Sequence, residues 1–124
     1  MADSFDVLAR RIARASGKGS SAMDSAQREL IDVLREARAL LARPENDFAW
    51  SPWREVDEAL RELDGRIGAI EAGALPARTE LAALFAATGA IQEVSLSSGW
   101  GREFLGLARR FDFAAARVYG VPVG

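Results

Sequence analysis

Apolar residues recur at alternating intervals of three and four along three separate stretches of this chain, and that spacing constrains the fold more than any other feature. Met23, Ala26, Leu30, Val33, Ala37 and Leu40 make the first set, widened by Leu34 and Leu41. Trp53, Val56, Leu60, Leu63, Ile67 and Ile70 make the second. Ala77, Leu81, Leu84, Thr88, Ile91 and Ser95 make the third, broadened by Phe85. A helix turns about 100° per residue, so each set falls along one side of a helix. No stretch alternates as a strand would, and the chain reads as all-α.

Punctuation residues divide the helices. Pro44 stops a helix over 22–43, for which Ser20 or Ser21 is the expected N-cap. Ser51 and Pro52 suit the N-cap and first position of the next, which ends near Gly73. Pro76 restarts the chain for a third stretch to about Ser95, with Gly89 interrupting it. After the turn SSGWG (97–101), a last helix to about Tyr119 carries Phe104, Leu107, Ala108, Phe111, Ala115 and Val118. Four helices of about 20 residues, each about 30 Å long, joined by short loops, predict an up-down-up-down four-helix bundle over 21–120. A short amphipathic helix over 3–16 (Phe5, Leu8, Ala9, Ile12) precedes it, separated by the flexible SGKGSS (16–21). At 124 residues, all of this is expected to be a single domain.

The composition removes whole classes of chemistry. With no cysteine and no histidine, the chain cannot build disulfides, thiolate or imidazole metal sites, or a Ser-His-Asp triad. No apolar run approaches the roughly 20 residues that span a bilayer, and no secretory signal is legible, so a cytoplasmic protein is expected. The net charge of −2 is unevenly spread. Residues 1–20 carry Arg10, Arg11, Arg14 and Lys18 against Asp3 and Asp6; residues 21–98 carry eight arginines against fourteen acids. Residues 99–124 carry four arginines against Glu103 and Asp112. The acidic middle argues against nucleic acid, although the basic face of the first helix could touch a phosphate-bearing surface.

Aromatic residues give the interaction candidates. NDFAWSPW (46–53) holds Phe48, Trp50 and Trp53, and in an up-down-up-down bundle its loop shares an end with Trp100. Trp53 belongs to a helical stripe and is expected in the core, whereas Phe48 and Trp50 lie off any stripe. They either fold over the open end of the bundle or meet a partner. Phe113, two residues beyond Phe111, points away from the core stripe and suits contact with the first helix or a dimer interface. Phe48, Trp50, Trp100 and Phe113 are therefore the candidate partner-binding residues, and a protein partner or a homodimer is the leading functional expectation.

Carboxylates supply the alternative. Glu29 and Asp32 in ELID, followed by Glu36, and Glu55 and Glu58 in EVDE, followed by Glu62, form E-x-x-D and E-x-x-E pairs on adjacent helices. In reversed order, these pairs resemble those with which the all-α nucleoside triphosphate pyrophosphohydrolases hold magnesium. The resemblance implies an Mg-dependent enzyme that uses Glu29, Glu36, Glu55, Glu58 and Glu62 as ligands. Heptad positions pull the other way. With Trp53 and Leu60 at position a, Glu55, Glu58 and Glu62 face water, while Glu29 and Glu36 flank the seam.

Overall fold

The computed structural model describes residues 24–120, and all regular structure among them is helical. The elements are α1 (Ser25–Leu41), α2 (Val56–Glu71), α3 (Arg78–Phe85), α4 (Ala90–Ser98) and α5 (Gly101–Tyr119). The short helix expected over 3–16 lies outside the described residues.

α1 packs against α2, α4 and α5, and α5 packs against α3 and α4 as well. α2 and α5 run antiparallel to α1. Arg35 pairs with Glu71 and Arg38 with Asp64 on α2, so rising numbers on one helix meet falling numbers on the other. On the α5 side, Arg117 reaches Ser25 while Arg110 reaches Glu29 and Glu36. The stripes read from the sequence become the core: Leu30, Val33, Leu34, Ala37 and Leu41 of α1 are fully buried, as are Leu63 of α2, Leu81 of α3 and Ile91 and Val94 of α4. Burying one such side chain contributes about 1.5–3 kcal/mol, so these rows dominate the stability of the fold. Phe85 packs flat between two rings of α5, 4.5 Å from Phe111 and 6.5 Å from Phe104 between centroids.

Three boundaries differ from the sequence reading. α1 starts at Ser25 because Asp24 caps it, accepting a 2.8 Å hydrogen bond from the Gln27 N–H. α2 starts at Val56, not at Pro52. Ser51 Oγ accepts from the Trp53 N–H at 3.2 Å and lies 3.0 Å from the Phe48 carbonyl, so it stabilises a local turn instead of capping the helix. The single helix expected over 76–95 is two. Ala86 leaves α3 in extended geometry, and Gly89 folds back so tightly that its N–H donates to Ala86 O at 2.9 Å. Thr88, expected on the buried stripe, is exposed in that turn, while Ser95 is fully buried and donates to Gln92 O.

Candidate functional site

The end of the molecule where α1 runs into α2 and α4 into α5 is built around Asn46. Its side-chain NH2 donates to Leu40 O at 2.7 Å and to Leu41 O at 2.9 Å, satisfying carbonyls that the end of α1 leaves open. Its side-chain oxygen accepts the Trp100 indole N–H at 2.9 Å. One residue on, the Asp47 N–H donates to Ser98 Oγ at 2.8 Å. Gly99, in the left-handed region at φ +88°, turns the chain so that Trp100 enters the core beneath these bonds. Two loops more than 50 positions apart are thereby fastened together.

The aromatic candidates separate on this frame. Trp100 is 1% exposed and hydrogen-bonded inside, so it is a core residue and offers nothing to a partner. Phe48 is half-buried and packs against the core. Trp53 is buried, as expected, and its indole N–H donates to Glu62 Oε1 at 3.0 Å. Trp50 is 75% exposed. Its loop is nevertheless fixed on both sides: the Ala49 N–H donates to Asp47 Oδ1 and the Ser51 N–H to Phe48 O. Phe113 is also exposed, at 60%, on the outer side of α5.

The carboxylate candidates are dispersed and mostly engaged. Glu29 and Glu36 both bind Arg110 of α5, at 3.2 and 2.8 Å. Those hydrogen bonds, Glu36's first, raise the Arg110 pKa above its ordinary value against the opposing effect of partial burial. Glu58 accepts from the Arg54 N–H at 2.7 Å and from its guanidinium at 3.0 Å, and these two bonds hold it below the usual carboxylate range. Glu62 holds Trp53 and lies 3.6 Å from Arg66. Glu55 is exposed at the start of α2. Among the described residues no three carboxylates come together as a metal site would require.

A shallow cleft of about 440 Å³ lies between α1 and α5. Leu40 and Leu107 line it with the small Ala39 and Gly106, and Arg43 and Glu103 stand beside Glu36 and Arg110. Sequence reasoning missed Asn46, Ser98 and Arg110. A turn-favouring amide two residues past the helix-stopping Pro44 is a signal for the first. Nothing local signals the other two, whose partners are 51 and more than 70 positions away.

Compared with known protein families, curated proteins and solved structures, the chain matches none of them.

Proposed function

We propose that this chain works in the cytoplasm by protein–protein interaction, that a second copy of itself is the partner, and that Trp50 anchors the contact. The carrying observation is the exposure of a large aromatic side chain on a loop that five neighbouring hydrogen bonds already hold. A rigid tryptophan loses little conformational freedom when covered, which is why such residues dominate binding energies. The charges around it suit a self-complementary contact: exposed Arg43 and Arg54 stand among exposed Glu45, Asp47 and Glu55, so this end offers both signs to a second copy. With this reading goes an up-down-up-down bundle in which α3 and α4 together fill the third place. The antiparallel pairing of α1 with α2 and α5 supports it. Phe113 is less suited to self-contact because arginines flank it. The magnesium-enzyme reading loses support because arginine or tryptophan partners occupy Glu29, Glu36, Glu58 and Glu62.

Sedimentation velocity over a wide concentration range tests this. Association that Trp50→Ala weakens at least tenfold, with an unchanged thermal melt, supports it. A wild-type chain that stays monomeric at the highest concentration overturns it.

A further inference from the structure

A second surface, independent of the Trp50 end, runs along the outside of α5. Arg102, Leu105, Arg109, Phe113 and Arg117 follow one another at intervals of three, four, four and four, so they share the side opposite the buried Phe104, Leu107 and Phe111. All five are exposed, Leu105 at 58% and Phe113 at 60%. Leu96 of α4, 64% exposed, lines a cleft with Leu105 and adds to the apolar part. Two exposed carboxylates border the row: Glu103 lines the cleft with α1, and Asp112, seven positions past Leu105, lies along the row's Leu105 edge. Arg35, Arg38, Arg54, Arg66 and Arg110 are paired with acids, whereas the arginines of this row are not. Arg102 and Arg109 have no ion pair or hydrogen bond to any described residue, and Arg117 binds only the neutral Ser25 hydroxyl.

Charge sign selects the occupant. A second α5 would set arginine against arginine, so a second copy does not cover this row favourably. The row is straight, about 22 Å from Arg102 to Arg117, and its first two members, Arg102 and Leu105, border the cleft shared with α4. A straight cationic ridge carrying Phe and Leu between arginines fits a broad anionic plane, where rings and aliphatic tips enter and guanidinium groups reach back to phosphates. We infer that the outer face of α5 is a docking surface for anionic phospholipid bilayers.

The test uses the full chain and sucrose-loaded vesicles of phosphatidylcholine containing roughly one-third phosphatidylserine, sedimented at low and high salt. Expected are binding to these vesicles, little to pure phosphatidylcholine, and release by salt. Each arginine at such a surface is worth about fivefold in affinity, so R102A/R109A binds about thirtyfold more weakly. Phe113→Ser loses several-fold, and Arg61→Ala, which removes an exposed arginine of α2, binds as wild type does. Circular dichroism melts confirm that the exposed substitutions leave the fold intact. The proposal is overturned by absence of binding, by equal binding to both vesicle types, or by R102A/R109A binding like wild type. It is equally overturned if the arginines prove necessary for binding a short DNA duplex while vesicles are ignored.

Discussion

Asn46 makes three side-chain hydrogen bonds, two as donor to the last carbonyls of α1 and one as acceptor from buried Trp100. Removing it leaves an indole N–H without a partner inside the protein, and an unsatisfied buried donor costs about 1–3 kcal/mol before the lost cap is counted. Asn46→Ala is therefore expected to destabilise the fold by about 2–4 kcal/mol in urea titration. Asn46→Asp separates the two roles, since a carboxylate still accepts from Trp100 but faces Leu40 O and Leu41 O with no proton to give. It should be at least as damaging near neutral pH, and should recover in part on acidification. A small loss for both variants would show that the cap carries little energy. None of this is legible locally. Trp100 was expected at a partner surface because its loop shares an end with Phe48 and Trp50, and the residue that draws it inward is 54 positions away.

At the scale of elements, glycine has opposite meanings in two helices. A Cβ built on Gly89 would lie 2.3 Å from the Ala83 carbonyl oxygen and 3.1 Å from that of Ala86, both of them backbone atoms that cannot swing aside. Gly89→Ala must therefore open the α3–α4 corner, at an expected cost of about 2–3 kcal/mol. Gly68, inside α2, has nothing within 4 Å of such a Cβ. There alanine relieves the entropic cost of a mid-helix glycine, and Gly68→Ala should stabilise by about 0.5–1 kcal/mol. Thermal melts of the two variants should move in opposite directions; equal shifts would sink the argument. The sequence showed Gly89 as an interruption, although the three-four spacing continues past it to Ser95. It did not show the size of the turn, which depends on how closely two peptide groups can approach. Nor did it show that α2 begins late, because Ser51 and Pro52 suit a helix start equally well until the hydroxyl is seen bonding backward to Phe48.

For the molecule as a whole, acid stability rests on exposed carboxylates with arginine partners. Arg38 donates to both oxygens of Asp64, at 2.5 and 3.1 Å, and holds its pKa below the ordinary 3.8. Arg54, through its backbone N–H first, holds Glu58 below the ordinary 4.5. In both cases the unfolded chain takes up the proton more readily than the folded one. The stabilisation is thus present in full above about pH 4.5 and is lost as pH falls through the lower folded values. D64N and E58Q should each flatten the acid limb of a melting-temperature profile, and the effect should shrink in high salt, more for the exposed Asp64 than for the partly covered Glu58. An acid limb unchanged in both variants would assign the loss to other carboxylates. The outward direction of Glu55 and Glu58 and the flanking position of Glu29 and Glu36 could be read from heptad register. Their arginine partners could not, since register gives a direction and no partner.

The clustering of the tryptophans has an optical consequence. Trp53 and Trp100 are 5% and 1% exposed and Trp50 is 75% exposed, all at one end of the molecule. Emission from the native protein should therefore divide into a blue, iodide-resistant part from the two enclosed indoles and a red, quenchable part from Trp50. Covering that end would shift and protect the red part alone, so the proposed contact carries its own fluorescent reporter, with no label to attach.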